Sequence, residues 1–382
     1  MRSGALDRHL SAPERKLYEE TRATASRHLA PIAHAGDAGR VNRPLVRALA
    51  ENGLLPRLFA GGGAAALELC LIREALARHC TEAETAFAVQ GLGLDPILQA
   101  ARPELVDEWL PRIAAGEAIA AFALTEPGAG SDVAALSLAA EPGGEPELGY
   151  RLTGEKLWIS NAPDADLYTV FARTAEDPRG GITAFAVPGD AGGLTGEPLE
   201  LLSPHPIGRL RFQQVEVPPT SVIGEPGGGF RVAMRTLDRF RPSVGAFAIG
   251  MARAALDAAC AHAATRHTFG SPLKDRQSIS HRLADLTARV HAARLTVHDA
   301  ARAHDEGTPD PALSAMAKLL ATEAAQEAVD FAVQVHGAEA LERGHPLEHL
   351  YRDVRAPRIY EGASEIQREI IARALFAGAG PS

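Results

Sequence analysis

The apolar residues of this chain follow two different periods, and the order of those periods most restricts how it can fold. Over residues 10–118 and again over 226–382, apolar side chains recur three and four positions apart, the spacing of one face of an α-helix. Residues 119–225 instead carry short runs rich in Val, Thr, Tyr, Phe and Ile, separated by Gly, Pro and Asp, which is typical of β-strands. This order, without internal repeats, predicts an α+β fold.

Three domains are predicted: an N-terminal helical domain over 1–118, a central antiparallel β-sheet domain over 119–225 and a C-terminal four-helix bundle over 226–382. The four bundle helices are expected over 278–307, over 311–337, over roughly 242–265, and from Ser364 onward. Short connections between them favour antiparallel packing in a bundle.

Helix-start signals support two of these segments. Ser11, followed by Pro13 and Glu14, is a typical helix N-terminus. Ser364 with Gln367 three residues later matches a capping box, in which each side chain bonds the backbone of the other residue. The preceding acidic residue, Glu361, is then not needed by the helix that it precedes.

Composition excludes several classes of function. The chain has 382 residues, 46% of them hydrophobic, so it can bury a large core. A net charge of -9, without a block of Lys or Arg, argues against a nucleic-acid partner. The N-terminus lacks the apolar core of a signal peptide, and no uncharged run is long enough to cross a bilayer. We expect a cytoplasmic protein with no membrane partner, whose three scattered cysteines are reduced, buried thiols.

Some tempting motifs predict no chemistry. The glycine-rich run 224–230 lacks the Lys of a phosphate loop, and no Gly-x-Ser-x-Gly elbow is present. His345 and His349 have a spacing that suits a metal, but Pro346 and the lack of a nearby carboxylate–histidine set favour a solvated loop. No metal site is expected.

Two stretches of the strand-rich region carry more information. FALTEPGAGSD (122–132) leaves a strand at Thr125 and turns through glycines to Ser131, which exposes hydroxyl and amide groups able to hold a polar ring and an anionic tail. GEKLWISNA (154–162) places the flat indole of Trp158 beside the hydroxyl of Ser160, which suits an aromatic cofactor. Taken singly, each is also consistent with a polar turn or a core tryptophan.

Together these stretches resemble the acyl-CoA dehydrogenase family, in its medium- and short-chain-like form. The first matches a family signature residue for residue, and the second is similar to a family strand that usually carries Thr where Ser160 stands. LDRFRP, RHTFGSPLKDRQ, QVHGAEAL and YRDVRAPRIYEGASEIQREIIAR then follow in the family's order and spacing, so the resemblance covers nearly the whole chain.

The resemblance implies that flavin adenine dinucleotide (FAD) binds between the sheet domain and the bundle. Thr125 is expected at the pyrimidine edge of the flavin and Ser131 at the pyrophosphate, with Ser131 also near the substrate. Trp158 is expected to cover the isoalloxazine and Ser160 to donate its hydroxyl near N5.

A neighbouring subunit of a homotetramer or homodimer is expected to hold the other half of the cofactor. The resemblance implies contacts from Arg266 to the pyrophosphate, from Phe269 and Gln277 to the cofactor and its adenosine part, and from Gln334 and Gly337 at the adenine end.

Two departures from the family pattern affect this region. The chain has Gly337-Ala338-Glu339-Ala340 where the family prefers Gly-Gly-x-Gly, and Ala363 where threonine is usual. Added Cβ atoms disfavour positive φ, so altered dinucleotide contacts are expected in the loop.

Glu361 matches the family's catalytic base. The α-proton of a thioester is weakly acidic, so the base needs a dry site that raises its pKa. The alternative base position of some relatives is occupied here by Phe240, which accepts no proton. Tyr360 and Gly362 are expected to flank the thioester, and Asp238, Phe240 and Arg241 to shape the substrate pocket or channel.

The expected activity is α,β-dehydrogenation of an acyl-CoA in fatty acid metabolism, with an electron-transferring flavoprotein as acceptor. Alternatives that keep the fold use an acyl carrier protein in place of coenzyme A, or oxygen as the acceptor. A flavin monooxygenase and a non-catalytic binding protein are further alternatives.

Overall fold

The computed structural model describes residues 7–143 and 149–377 of the chain, which fold into two compact units. The first unit contains residues 7–27, 65–84 and 238–377. The second contains 28–64 and the described part of 85–237. The predicted division into three domains stays a prediction.

The first unit is helical. Its helices are α1 (Ala12–Thr24), α4 (Ala66–Ala77), α8 (Gln277–Asp305), α9 (Pro311–His336), α10 (Pro346–Asp353) and α11 (Ser364–Phe376), with most of α7 (Gly229–Thr265). The start of α1 is as predicted, because Ser11 and Glu14 form a reciprocal capping box. The predicted C-terminal helical bundle is confirmed.

Small side chains let the helices of this unit pack closely. Its core is rich in alanine from α7, α8 and α9, packed with Leu, Val, Ile and Phe. Gly250 of α7 lies so close to α4 that a Cβ there would be 2.5 Å from the carbonyl oxygen of Glu74. The many alanines and few aromatic residues thus allow short distances between the helices.

The second unit is built on a sheet. Among the described residues its strands are β1 (Ala120–Ala123), β2 (Ala139–Pro142), β3 (Tyr150–Ser160), β4 (Leu167–Arg173), β5 (Ile182–Pro188), β6 (Leu194–Pro198), β7 (Ile207–Val217) and β8 (Val222–Ile223). They are ordered β6-β7-β3-β2-β4-β5-β8, with β1 on β4. The helices α2 (Ala30–His34), α3 (Arg43–Glu51) and α6 (Pro103–Ala114) belong to the same unit. The remaining helix, α5 (Thr81–Ala100), contributes to both units, as α7 does.

The sheet is mostly antiparallel, as predicted, but not entirely. β1 and β2 both pair with β4 in parallel. The short strands β2 and β6 were not predicted, because neither contains the β-branched and aromatic runs that identified the others. The two strands of the small hairpin β9 (His267–Thr268) and β10 (Ser271–Pro272) lie in the first unit.

Three local predictions were wrong. Helix α7 begins at Gly229, not near Pro242, so the proline lies inside the helix. His345 and His349 are not in a loop: His345 caps α10, and His349 of that helix contacts Asp353 at 3.0 Å. Cys260 is exposed, whereas Cys70 and Cys80 are buried.

The predicted capping box at the start of α11 is also absent. The N-cap residue is Ala363, which has no side chain able to accept a hydrogen bond. The Ser364 hydroxyl instead donates to Glu323 at 2.7 Å, and Gln367 donates to the carbonyl oxygen of Gly362 at 2.8 Å. Both side chains are therefore used to hold the loop before α11.

Two properties of the described residues concern membranes and metals. Helix α7 is long and apolar enough by length and composition to cross a bilayer, but 72% of its most apolar window is buried inside the protein. A buried core helix passes the same test, so this is weak evidence for a span. No group of three or more His, Cys, Asp or Glu side chains in this part of the chain could hold a metal ion.

Replacing Gly250 by Ala should destabilise the protein by about 1–3 kcal/mol, because the new Cβ overlaps the backbone of α4. Helix propensity alone would favour Ala by about 1 kcal/mol, so the sign of the effect tests the close approach. Urea unfolding measures it. Ala261→Gly, at an exposed position of the same helix, gives the propensity effect alone. A Gly250→Ala variant as stable as the parent would contradict the packing described.

Candidate active site

The loop before α11 has a strained backbone at the predicted base. Glu361 has φ +51° and Gly362 has φ +92°. Non-glycine residues avoid this left-handed region, at a cost of about 1–3 kcal/mol, and persist in it only where the surroundings enforce it. A Cβ at 362 would also be 2.6 Å from the Gln367 amide nitrogen, so that side chain would have to shift.

The carboxyl group of Glu361 is held away from hydrogen-bond partners. Glu361 is half-buried as a residue, but its Oε2 atom is buried and bonds no described residue. Burial raises the pKa of this carboxyl above its usual 4.5, against the opposing effect of Arg73, Lys318 and Arg241. A carboxylate that is dry, unpaired and of raised pKa has the properties of a general base.

Two of the neighbouring cations have acidic partners of their own. Buried Arg73 pairs with Glu84 and donates to the Ser243 hydroxyl at 2.6 Å. Arg241, also buried, pairs with Asp238 three residues before it in α7. Burial raises the pKa of Asp238. The predicted pocket residues Asp238 and Arg241 thus form an ion pair in the same unit as Glu361.

The third cation is Lys318 of α9. Its side chain is 1% exposed. It donates to the carbonyl oxygens of Pro357 at 2.9 Å and Gly362 at 2.6 Å, on the two sides of Glu361. Burial lowers the pKa of Lys318 to about 8.

Tyr360 and Phe240 complete the apolar part of this environment. Burial raises the pKa of Tyr360 well above its usual 10.0, so its hydroxyl stays protonated. Phe240 is 3% exposed, and its backbone carbonyl accepts a hydrogen bond from Ser243. The structure therefore places the predicted residues 238, 240, 241 and 360–362 in one unit, with Arg241 in electrostatic contact with Glu361.

In the second unit, a buried ion pair fixes the loop after β1. Lys156 of β3 donates to Glu126 and to the carbonyl oxygen of Leu124, both at 2.8 Å. The other Glu126 oxygen accepts bonds from the backbone and hydroxyl of Ser137. Thr125, between these anchors, is half-buried, and its carbonyl accepts from Leu157 of β3 at 3.0 Å.

Trp158 stands on an irregularity of β3. The register of β3 against β7 shifts between Lys156 and Ile159, and Trp158 has φ +55°. A β-bulge of this kind re-aims a side chain. Here it leaves the indole 50% exposed on the sheet unit, which refutes the alternative that Trp158 is a core residue.

The hydroxyl of Ser160 already has a protein partner. It lies 2.7 Å from Nε2 of His205, in the loop before β7. Ser131 is exposed in the same unit, and Gly128 and Gly130 beside it have open space where a Cβ would be. The predicted flavin residues 125, 131, 158 and 160 therefore all lie on the sheet unit with accessible polar or aromatic groups.

The residues predicted to serve a neighbouring subunit are exposed in the first unit. Phe269, at the tip of the β9–β10 hairpin, is 97% exposed with φ +51°. The Arg276 guanidinium lies 5.7 Å from its ring centroid. Arg266 precedes the hairpin, and Gln277 follows it as the first residue of α8; both are exposed.

Gln334 and Gly337 lie at the exposed end of α9. A histidine stack brings this end to the end of α7 that leads into Arg266: the rings of His262 and His336 are 4.2 Å apart. The Gly-Ala-Glu-Ala departure is not strained, since among these four residues only Gly337 has a positive φ. The expected obstacle to that loop's conformation is therefore absent.

Each unit, taken by itself, has an exposed aromatic group that suits contact with a planar cofactor. An indole 50% exposed and a phenyl ring 97% exposed, each held at positive φ, are costly unless something covers them. The open glycines 128, 130 and 337 leave room for a close approach of phosphate or ring. The residues present therefore fit FAD.

Sequence reasoning missed four charged residues of these sites: Arg73, Glu84, Lys156 and Lys318. For Lys156 and Lys318 the sequence did contain a signal, the rarity of lysine. Lysine occurs four times among 39 Lys and Arg residues, and two of the four lysines are the buried ones. His205 gave no signal, because its contact with Ser160 depends on the sheet register.

Comparisons with known proteins agree with this arrangement. Family models for the N-terminal, middle and C-terminal domains of acyl-CoA dehydrogenase match residues 11–117, 121–215 and 227–376. The class of protein is therefore a flavoprotein oxidoreductase with FAD as its cofactor. The chain belongs to the acyl-CoA dehydrogenase family.

Individual relatives cover nearly the full length. Cyclohexane-1-carbonyl-CoA dehydrogenase of Geobacter metallireducens is 36% identical over 94% of this chain and 96% of its own. The structure of butyryl-CoA dehydrogenase from Megasphaera elsdenii has a TM-score of 0.89 at 31% identity, covering 96% of this chain and 99% of that one. An FAD complex of PigA has the same TM-score at 29% identity, covering 96% and 98%.

Lys156→Met should destabilise the protein by about 3–5 kcal/mol, because it leaves the Glu126 carboxylate buried without its cation. The free loop should also release FAD more readily. Urea unfolding and the fraction of flavin retained on gel filtration measure the two effects. Adding Glu126→Gln should recover part of the stability, whereas Lys274→Met, at an exposed position, should change neither quantity. Full stability in the single variant would refute the role of the pair.

Proposed function

We propose that the protein catalyses the FAD-dependent α,β-dehydrogenation of an acyl thioester, acyl-CoA to trans-2-enoyl-CoA, with Glu361 as the base. The observation that carries this proposal is the buried, unpaired Oε2 of Glu361 on a backbone held at φ +51°. Such a carboxylate is set for proton transfer, since no described residue competes for it. Loss of the α-proton to Glu361 and of a hydride from the β-carbon gives the enoyl product.

The chain's own residues supply binding and the proton acceptor. FAD, when bound, accepts the hydride at N5. Glu361 takes the α-proton, and Tyr360 and Gly362 bound the space in which the thioester lies. Arg73, Lys318 and Arg241 keep the carboxyl ionisable despite its burial. Trp158 excludes water from the flavin face, and Thr125 and Ser160 orient its polar edges.

Several further properties belong to this proposal. The substrate is an acyl-CoA, the electron acceptor is an electron-transferring flavoprotein, and the enzyme acts in fatty acid metabolism in the cytoplasm. A homotetramer would bring Arg266, Phe269, Gln277, Gln334 and Gly337 to the cofactor of a neighbouring subunit. Their exposure in the first unit supports this, because Phe269 at 97% is otherwise left in water.

Glu361→Gln should bind acyl-CoA but reduce its flavin at least about a hundredfold more slowly, because the amide cannot accept the α-proton. Anaerobic flavin bleaching against linear, branched and cyclic acyl-CoA measures the rate, and the ligand-induced spectral shift measures binding. Glu365→Gln is the matched control, since Glu365 is an exposed side chain four residues away. Normal bleaching by Glu361→Gln would refute the assignment.

The same assay separates the alternatives. If the flavin is bleached by acyl groups on acyl carrier protein but not by acyl-CoA, the carrier is acyl carrier protein. If the reduced flavin reoxidises rapidly in air, the electron acceptor is oxygen and not an electron-transferring flavoprotein. The non-catalytic alternative is a binding protein that has lost its affinity for flavin, so a purified protein that is yellow would dismiss it.

The bleaching rate should fall as the pH is lowered through the pKa of Glu361. Glu361 accepts a proton only when ionised, and burial raises its pKa above 4.5, so the midpoint of the acidic limb should lie above that value. Stopped-flow bleaching from pH 4 to pH 9 with a non-ionising acyl-CoA checks this. An acidic midpoint at or below the usual carboxyl range would contradict the burial of the base.

A further inference from the structure

Buried lysine is an unusual choice in this chain. Arginine supplies most of its 39 basic residues, and lysine occurs only at positions 16, 156, 274 and 318. Lys318 is 1% exposed and has two backbone carbonyls as its hydrogen-bond partners. A buried ammonium without a carboxylate in contact is costly, so its retention calls for a role.

The two carbonyls that Lys318 binds lie on either side of Glu361. Pro357 precedes the base by four residues and Gly362 follows it directly. One ammonium group thereby closes the loop at its two ends. The intervening backbone, with φ +51° and +92° at Glu361 and Gly362, is the segment that needs enforcement.

Helix α9 holds the same loop a second time, one turn further on. Glu323 pairs with Arg358 at 2.9 Å and accepts the Ser364 hydroxyl at 2.7 Å. Lys318 and Glu323 therefore both bridge the loop, but with opposite charges. Substituting each of these two residues therefore distinguishes anchoring of the loop from an electrostatic effect on Glu361, because only Lys318 is a cation that acts on Glu361.

The charges around Glu361 come from three helices. Arg73 lies on α4, Arg241 on α7 and Lys318 on α9, and Tyr360 adjoins the base in sequence. The arginines are paired with Glu84 and Asp238, which offset their charge. Within residues 7–143 and 149–377, Lys318 has no such acidic contact; its partners there are two backbone carbonyl groups.

We infer that Lys318 is a positioning residue that holds the Glu361 loop in its left-handed conformation and, together with Arg73 and Arg241, provides positive charge that favours the ionised form of the Glu361 carboxyl. The inference rests on the proposed role of Glu361 as the base, which it extends to a residue on another helix. Lys318 touches neither substrate nor the reacting atoms; it acts through Glu361.

Lys318→Met removes the charge and keeps much of the length of the side chain. The apparent pKa of Glu361 should rise by about one unit or more, since a nearby cation is lost from a dry site. Two readouts are needed. One is the acidic limb of the anaerobic bleaching rate in the FAD-loaded enzyme. The other is direct titration of the Glu361 carboxyl by infrared difference spectroscopy of the substrate-free enzyme, with Glu361→Gln identifying the band.

Three further variants show whether a change in the Glu361 pKa is due to the charge of Lys318. Lys16→Met removes a charge at a side chain 74% exposed and should leave the Glu361 pKa unchanged. Glu323→Gln breaks the ion pair with Arg358, weakening the second anchor without removing a cation, and should not raise the pKa. Lys318→Gln keeps an N–H donor for one carbonyl but no charge; it should raise the pKa as Lys318→Met does, and it serves as the test if the methionine variant does not fold.

The outcomes are distinct. A raised carboxyl pKa in Lys318→Met or Lys318→Gln, absent from Lys16→Met and Glu323→Gln, supports the inference. An unshifted carboxyl band in folded Lys318 variants overturns it, and so does an equal shift in Glu323→Gln, which would mean that loop anchoring alone is responsible. If Glu361→Gln bleaches normally the proposed function fails, yet the infrared titration still decides whether Lys318 sets the charge state of Glu361.

Discussion

The burial of one carboxyl group, that of Glu361, is the constraint that Arg73, Arg241 and Lys318 of the helical unit offset. A carboxylate deprived of water stays protonated unless cations offset the loss, and a carboxylate paired too well loses its basicity. The structure lies between these limits. Arg73 and Arg241 act on Glu361 but are each paired with another acid, and Lys318 is held by carbonyl oxygens. The pKa of Glu361 is therefore raised, while three cations keep the increase limited.

In the sheet unit, too, a buried lysine fixes a loop. Its loop after β1 carries the predicted site residues Thr125 and Ser131. A buried lysine, Lys156, supplies the rigidity by bonding Glu126 and a backbone carbonyl of the loop. In each unit, then, a loop with predicted site residues is tied to a regular element by one ammonium group. Lysine suits this use because its three N–H donors can be directed at separate acceptors from a single small group.

The sequence predicted the fold class, the main strands and the helical bundle, since hydrophobic period reports which faces are buried. The family motifs also led to Glu361, Trp158 and Phe269, and all three proved to have positive φ, a strain that no propensity argument predicts. The supporting charges were out of reach for a different reason. Arg73 and Lys318 lie far from Glu361 along the chain, and the packing of α4 and α9 in one unit brings them to it, while Glu84 acts on the adjacent Tyr360. Sequence spacing within one element cannot report such contacts.

The departures from the family pattern have different consequences. Gly337-Ala338-Glu339-Ala340 keeps glycine at the one position with a positive φ, so the loop conformation needs no further glycine. Ala363 has a larger effect, because a helix whose N-cap lacks a hydroxyl loses a capping bond worth about 1 kcal/mol. Here Ser364 and Gln367 bond Glu323 and Gly362 in place of a capping box. The side chains that would have capped the start of α11 instead hold the loop that carries Glu361, so the helix is less well capped while that loop is more firmly held.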